Sequence, residues 1–331
     1  MRLTSPLRRA LSGLAALIAV LACGTDGAEL PTATEAPNLH RLDRAEWSEP
    51  VNLEINSSAN DFNPSLSPDG HSLYFNSPNR PGNTTPGVGD IWVAQRDCPT
   101  CPWNEPLNLS VINTEFTDAT PKLSDDGHLL FFASNRPGGS GGNDIWVSRR
   151  SDPRDDFDWE PPVNLGPEIN SPLGDENPEF VSGIDPRVGT LYFQRGPGPT
   201  FGVDLYVASV TRRGRVLRSA TVIPELSVAN ANDGGPSISR DGRVIYFWSF
   251  GPGRPGLATG TLFFATRRGH RDPWSEPEPL AIPPNSIAGG AIQPNLSKDE
   301  RTLFFISMRP GGKGGQDIWM STRLRRGDRD Q

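Results

Sequence analysis

The sequence predicts an all-β protein, a five-bladed β-propeller with four antiparallel strands in each blade. Three observations support this prediction. The 331 residues include 35 glycines and 34 prolines, and this density of backbone breaks excludes a helical bundle. The chain also has 15 Phe, 8 Trp and 4 Tyr, which a disordered chain would lack. Finally, several short phrases recur at a regular spacing, which indicates a repeat architecture.

The repeat is defined by phrases that return in the same order. Trp-x-Glu-Pro or a close variant begins at Trp47, Trp103, Trp159 and Trp274. Asp-x-x-Pro follows, and its prolines, together with that of a fifth, degenerate copy, are 57, 57, 58 and 58 residues apart: Pro64, Pro121, Pro178, Pro236 and Pro294. Ser-x-Asp-Gly comes next, as at residues 67–70, and then an apolar run such as residues 73–75. Asp-Ile-Trp closes the repeat at residues 90–92, 144–146 and 317–319.

Each phrase predicts one part of a blade. Pro-x-Leu-Ser is the innermost strand, and Asp-Gly makes the tight turn to the second strand because Gly supplies a positive φ. Asp-Ile-Trp-Val is the third strand. The stretch after Trp-x-Glu-Pro is the outer strand, where Pro is tolerated because an edge strand needs no donor there. Four antiparallel strands repeated around an axis form a propeller blade.

The order of the phrases also predicts how the ring closes. The chain begins on an outer strand, near residues 47–53, and ends on a third strand, near residues 317–321. The first strand should therefore complete the last blade, which leaves no exposed sheet edge at the seam. The outer strand near residues 216–222 has lost its Trp, and blade three carries an insertion at residues 182–189.

Taken together, the phrases resemble those of the WD-repeat-like propellers related to the periplasmic TolB propeller. The resemblance covers residues 47–323. It implies the propeller fold and names no ligand.

The first 45 residues are predicted to be an export signal and a tether. Residues 1–22 combine three arginines with a 13-residue apolar run, which is too short to span a bilayer and is typical of a signal peptide. The run ends in Val-Leu-Ala-Cys, which resembles a bacterial lipobox and predicts lipid attachment at Cys23, although an ordinary signal peptide with a chance Cys is the alternative. Residues 23–45 are small, polar and without period, as in a flexible tether. The propeller then spans 46–323, and 324–331 is a charged tail.

Cys98 and Cys101 form a Cys-x-x-Cys pair outside any predicted helix. In an exported protein such a pair favours a local disulfide. Metal binding and redox chemistry are the alternatives, but a single pair without a nearby His cannot close a tetrahedral zinc site.

The net charge excludes one class of partner. A net charge of −7 offers no basic face to displace counterions, so nucleic acid is not expected as a ligand.

Glycine-rich runs at residues 138–144 and 311–317 faintly resemble calcium repeats. They lie far apart in the sequence, whereas calcium repeats are consecutive, so neither a metal nor another cofactor is predicted.

Charged residues of the repeat are expected to gather on one face of the propeller. This loop face carries the turns from each outer strand to the next inner strand and the long Arg-Pro-Gly loops. It collects four carboxylates and four guanidiniums: Asp61, Asp118, Asp175 and Asp233, with Arg80, Arg136, Arg195 and Arg309. Such a ring can recognise a polar ligand, because Arg offers a planar fork of donors. The alternative is scaffolding, with Asp capping turns or pairing with Arg.

Two further charges depart from the repeat. The position after the repeat's Pro is occupied by Lys122 in blade two and Glu179 in blade three, and by Ser or Asn elsewhere. The two lie in neighbouring blades and have opposite sign. They can form a partly buried ion pair, or the asymmetric polar part of a ligand site.

Catalytic motifs are scarce in this sequence. It contains no nucleophile elbow, zinc helix motif or phosphate loop. We therefore predict a monomeric, lipid-anchored, non-enzymatic propeller on the outer-membrane or periplasmic side of a bacterial cell envelope. It would contact the membrane only through its N-terminal lipid and bind an envelope protein or glycan on the loop face. The alternative is a glycosidase-like hydrolase, since five-bladed propellers host furanosidase-like enzymes with carboxylates in the central pocket. Glu176 and Glu179 are the acids that break the repeat.

Overall fold

The computed structural model describes residues 46–324, except 184, 186, 197–201, 255, 257 and 258. Contacts divide the chain into residues 1–37 and 38–331, and every described residue belongs to the second unit. The predicted signal peptide, Cys23 and the tether lie outside the described residues, as do residues 325–331 of the predicted tail. No described helix is both long enough and apolar enough to cross a bilayer.

Within the described residues, twenty strands form five four-stranded antiparallel sheets, which confirms the predicted fold class. Blade one contains β2 (Phe62–Leu66), β3 (Ser72–Ser77), β4 (Asp90–Gln95) and β5 (Leu107–Asn108). Blade two contains β6 (Asp118–Leu123), β7 (Leu129–Ser134), β8 (Asp144–Arg149) and β9 (Val163–Asn164). Blade three contains β10 (Gly174–Ser182), β11 (Val188–Gly196), β12 (Asp204–Thr211) and β13 (Val216–Val222). Blade four contains β14 (Asn232–Ile238), β15 (Val244–Phe250), β16 (Thr261–Thr266) and β17 (Glu278–Pro279).

Blade five is completed by the first strand of the propeller domain, as the order of the phrases predicts. It contains β18 (Ile292–Leu296), β19 (Thr302–Ser307), β20 (Asp317–Thr322) and β1 (Val51–Asn52). β1 pairs antiparallel with β20, with Val51 opposite Met320. The two ends of the propeller domain are therefore held in one sheet, and the ring has no open seam.

The core lies between neighbouring blades. The second strand of each blade is buried on both faces because a sheet packs against each side, which explains its continuous apolar run. Leu73, Tyr74 and Phe75 of β3 are all fully buried. Phe131 of blade two stacks on Phe180 of blade three with ring centroids 5.2 Å apart.

The repeated Trp has a structural task at the rim. In four blades its ring stacks with an Arg that follows the third strand, with guanidinium-to-centroid distances of 4.1 to 5.2 Å: Arg96 and Trp103, Arg150 and Trp159, Arg267 and Trp274, and Arg323 and Trp47. Cation–π stacking of this kind adds to the burial of the ring. Blade three lacks both the Trp and this contact.

The innermost strand of every blade is interrupted at the repeat's Pro. Its pairing with the second strand shifts by a β-bulge between the residues that flank this site, for example between Phe62 and Ser65. The residue before each Pro has a positive φ of 50 to 57°: Asn63, Thr120, Asn177, Gly235 and Gln293. A bulge suits this position because Pro cannot donate a ladder hydrogen bond.

Candidate functional site

The five positive-φ residues and the prolines that follow them surround the propeller axis, together with Lys122. We call the five positive-φ residues the axial ring. The space that they enclose is about 20 Å³, enough for about one water molecule. A larger ligand therefore has to lie above the ring, on the loop face, with only a single small group reaching between the ring residues.

The axial ring is held by polar contacts between blades. Asn63 Nδ2 donates to Asn177 Oδ1, so blades one and three meet near the axis. The Thr120 amide donates to Asn76 Oδ1 at 3.2 Å, and the Asn177 amide to Thr120 Oγ1 at 3.2 Å. The side chains near the axis are thus largely engaged with one another.

One layer deeper, the residue after each Pro links its blade to the next. Four of these side chains accept a hydrogen bond from an inner-strand amide of the following blade, at 3.0 to 3.4 Å: Ser65 from Leu123, Glu179 from Ile238, Ser237 from Leu296, and Asn295 from Leu66. Lys122 occupies the fifth place and cannot accept. It instead forms an ion pair with Glu179 of blade three.

The Lys122–Glu179 pair is buried. The side chains are 13% and 8% exposed, so neither charge is well solvated by water. Burial raises the pKa of Glu179, and the Lys122 ammonium opposes that rise. Of the two alternatives that the sequence left open, the ion pair is formed. Ligand binding by these two residues stays a prediction.

Glu176 is a partly exposed carboxylate that is adjacent in sequence to the axial ring. It immediately precedes Asn177 in β10, and it is partly exposed. Asn143 Nδ2 donates to its Oε1 at 2.5 Å, and Gln194 Nε2 donates to its Oε2 at 3.2 Å. The other blades have no acid at this place but Phe62, Ala119, Gly234 and Ile292. Sequence reasoning named Glu176 but missed Asn143 and Gln194, because their hydrogen bonds to Glu176 join residues that are 33 and 18 positions apart in the sequence.

The four predicted Asp residues are buried, and the negative charge of each is balanced by an Arg of its own blade. All four Asp side chains are fully buried and pair with an Arg of their own blade: Asp61 with Arg80, Asp118 with Arg136, Asp175 with Arg195, and Asp233 with Arg254. Burial raises the pKa of Asp61, Asp175 and Asp233, and the neighbouring Arg opposes the rise in each case. Each Asp also accepts a backbone N–H of its own loop, as Asp61 does from Ser57 at 2.7 Å. These contacts make the pairs loop clamps, and ligand binding by them stays a prediction.

Arg309 differs from the other predicted arginines. Blade five has Ala291 where the others have Asp, so Arg309 instead donates to Ser307 Oγ at 3.0 Å and to the Pro284 carbonyl at 2.6 Å. Burial lowers its pKa to about 10. Arg254 takes the Asp partner in blade four. It begins an Arg-Pro-Gly at residues 254–256, which comes two or three residues later in the repeat than in the other blades and was therefore not recognised as equivalent.

The Asp that starts the third strand clamps the glycine-rich loop that precedes it. Asp144 Oδ2 accepts the Ser140 amide at 2.6 Å, and Asp317 Oδ1 accepts the Gly314 amide at 3.0 Å. Among the described residues, no three His, Cys, Asp or Glu side chains gather as metal ligands would. Cys98 and Cys101 are joined in a disulfide across the loop after β4, with Cα atoms 5.0 Å apart.

Solved structures with the same architecture are glycoside hydrolases. The catalytic domain of a GH62 α-L-arabinofuranosidase from Coprinopsis cinerea matches with a TM-score of 0.59 and 12% identity, over 85% of this chain and 98% of that one. An endo-arabinase from Bacteroides thetaiotaomicron matches with a TM-score of 0.55 and 16% identity, over 86% and 99%. An arabinanase from Bacillus subtilis matches with a TM-score of 0.54 and 12% identity, over 80% and 94%. No protein-family model and no curated protein sequence matches the chain.

These matches correct two predictions. The resemblance to TolB-type lipoprotein propellers is wrong, because the matched five-bladed structures are GH43 and GH62 hydrolases. The main functional prediction, a non-enzymatic binding or scaffold module, is contradicted by the same comparison, which accords better with the hydrolase alternative. The blade phrases misled on family because they encode Trp–Arg stacking, Asp–Arg clamps and hairpin turns, which stabilise blades whatever the propeller does. At 12 to 16% identity, the likeness itself establishes the fold.

Proposed function

We propose that this protein is a glycoside hydrolase that acts on α-L-arabinofuranosyl groups of a glycan. The substrate class is that of the matched α-L-arabinofuranosidases and arabinanase. The site is the depression on the loop face above the axial ring. The observation that carries the proposal is that blade three alone supplies two carboxylates outside the repeat, Glu176 and Glu179, on either side of the ring residue Asn177.

The two carboxylates differ in the way that glycoside hydrolysis requires. Such enzymes use one carboxylate in its ionised form and a second that delivers a proton to the leaving oxygen. Glu176 is partly exposed, and both of its oxygens accept amide hydrogen bonds, as an ionised carboxylate does. Burial raises the pKa of Glu179 and the paired Lys122 ammonium opposes that rise, so Glu179 takes up a proton when Lys122 moves away from it. We assign the ionised role to Glu176 and the proton-donating role to Glu179.

Access to Glu179 is controlled by its partner. Lys122 lines the axial space, and Glu179 lies behind it in the ion pair. A sugar above the ring reaches Glu176 directly, whereas proton transfer from Glu179 requires the Lys122 ammonium to leave the carboxyl. The ammonium can then hydrogen-bond to sugar hydroxyls, since it has three donors on a flexible stem.

The test is hydrolysis of 4-nitrophenyl α-L-arabinofuranoside, arabinan and arabinoxylan by the full chain. We expect the wild type to release arabinose or short arabino-oligosaccharides from at least one of them. Glu176→Gln should lower kcat by about 10²- to 10⁴-fold, because it removes the charge while keeping the side-chain shape. The activity should also fall as the pH rises through the raised pKa of Glu179, where its proton is lost.

The matched control is Glu115→Gln, the same change at an exposed acid in the loop that precedes β6. It should leave kcat unchanged. A wild type inactive on all three substrates would overturn the proposal, and so would a Glu176→Gln protein as active as the control.

A further inference from the structure

Blade four departs from the repeat beside the axis. Trp248 of β15 lies opposite Gly234 of β14, at the place where blades one and three have Asn76 and Gln194. Those two side chains each accept the amide of the next ring residue, Thr120 at 3.2 Å and Gly235 at 3.1 Å. An indole can only donate. Trp248 therefore presents a donor where Asn76 and Gln194 present acceptors, and apolar Ala133 and Ile306 stand at this place in blades two and five.

The glycines of blade four make room for this indole. A Cβ at Gly234 would lie 2.7 Å from Trp248 Cζ2 and 2.2 Å from Gln194 Oε1, closer than any side chain allows. A Cβ at Gly235 would lie 2.8 Å from Trp248 Nε1 and 3.3 Å from Gln293 Cα. The indole nitrogen and Gln293 thus meet at the ring glycine, the one ring residue without a side chain. The gap that Gly235 leaves between the indole and Cα of Gln293 is too small for a Cβ, and we call this place the notch.

Two polar atoms at the notch have no protein partner. Trp248 is 8% exposed, and its buried Nε1–H donates to no described atom. Gln293 Oε1 is likewise buried and accepts from no described atom. An unsatisfied buried donor destabilises the protein, and so does an unsatisfied acceptor, because each has lost its hydrogen bonds to water without gaining another. A group that both accepts and donates would relieve both costs at once.

We infer that the notch formed by Gly235, Trp248 and Gln293 binds one hydroxyl group of the sugar and so sets the substrate's specificity. A hydroxyl oxygen accepts from Trp248 Nε1–H while its own hydrogen is donated to Gln293 Oε1. The axial space of about 20 Å³ fits one such group and excludes a whole sugar ring. This inference rests on the proposed function for the identity of its ligand.

The notch is connected to the proposed catalytic carboxylate. Gln194 Oε1 accepts the Gly235 amide, while its Nε2 donates to Glu176 Oε2 at 3.2 Å. One side chain therefore fixes both the notch and Glu176. A hydroxyl seated in the notch would hold the sugar at a fixed place relative to that carboxylate.

The experiment measures binding rather than turnover, so that it remains informative if hydrolysis fails. L-arabinose and its monodeoxy analogues are titrated into the full chain by calorimetry, while the indole N–H resonances are followed by NMR. Binding of arabinose should shift the Trp248 resonance. One monodeoxy analogue should bind about 10- to 100-fold more weakly than arabinose, because it leaves both buried groups unpaired. The others should bind nearly as well.

Trp248→Phe removes the N–H and keeps an aromatic ring, so it should abolish the discrimination against that one analogue. Trp103→Phe, at the rim, is the matched control and should retain it. Equal binding of all analogues to the wild type, or a Trp248 resonance that no sugar moves, would mean that the notch holds only water and would overturn the inference. Both of these outcomes are measured on the wild type, so they remain informative even where a variant does not fold. Arabinose binding at Trp248 without hydrolysis would sink the proposed function alone.

Discussion

Deletion of residues 46–56 should cause the largest loss of stability of any change considered. Trp47, Leu53 and Ile55 are each at most 4% exposed. Burial of three large apolar side chains contributes about 5–9 kcal/mol, which is comparable with the whole stability of a typical domain, about 5–15 kcal/mol. The deletion also removes β1 and the paired hydrogen bonds between Asn56 and Ile318, at 2.8 and 2.9 Å.

Urea unfolding followed by tryptophan fluorescence measures this effect, and hydrogen exchange locates it. The protection of amides in β19 and β20 should be lost first. Deletion of residues 33–43, of equal length, is the control and should leave the midpoint unchanged. Retention of the wild-type midpoint without residues 46–56, or loosening that begins in blade one, would contradict closure by the N-terminal strand.

Lys122→Met should destabilise the protein in a pH-dependent way. Without the ammonium, the pKa of the buried Glu179 rises further above its value in the unfolded chain. A carboxyl with a higher pKa in the folded state holds its proton more tightly there, so its contribution to stability is present at low pH and is lost as the pH rises. We expect a loss of about 3–5 kcal/mol at alkaline pH, the cost of an unpaired buried charge, and a much smaller loss near about pH 5.

The double variant Lys122→Met, Glu179→Gln is the control, because it removes both charges. Its stability should be nearly independent of pH between about pH 5 and about pH 9, and above that of the single variant at the alkaline end. The midpoints of urea unfolding of both variants, measured across this pH range, test the prediction. A loss in Lys122→Met that is the same at every pH would show that Glu179 is not the group left uncompensated.

The sequence predicted the fold well because each repeated phrase has a local physical cause. Asp-Gly turns and buried second strands follow from the chain near Gly70 or Leu73 without knowledge of distant residues, whereas the stacking of Arg on the repeated Trp became visible only in the structure. Closure by β1 was predictable because the phrases start and stop at different points of the blade. The β-bulge at Asn63 and its equivalents was not, since Pro in an inner strand indicates a disturbance without specifying its geometry.

The site was harder to predict because its residues are those that leave the repeat. Glu176 and Glu179 were visible as exceptions, but the environment of Glu176 depends on Asn143 and Gln194, and that of Glu179 depends on Lys122 of the neighbouring blade. The Arg254 clamp was hidden by a shift of its Arg-Pro-Gly along the repeat, and Trp248 follows the apolar run of blade four without belonging to any repeated phrase. The importance of Trp248 depends on two glycines that face it across the sheet. Which residues of two strands face each other cannot be predicted from the sequence of either strand alone.

A crystal structure of the Glu176→Gln protein with an arabino-oligosaccharide tests the central claim most directly. The substitution should slow hydrolysis enough for the sugar to persist. The account predicts a sugar on the loop face above the axial ring, with a glycosidic oxygen or anomeric carbon within about 2.6–3.5 Å of the side chain of residue 176. A sugar bound only at the outer rim of the blades, with water alone above Asn63 and Asn177, would contradict it.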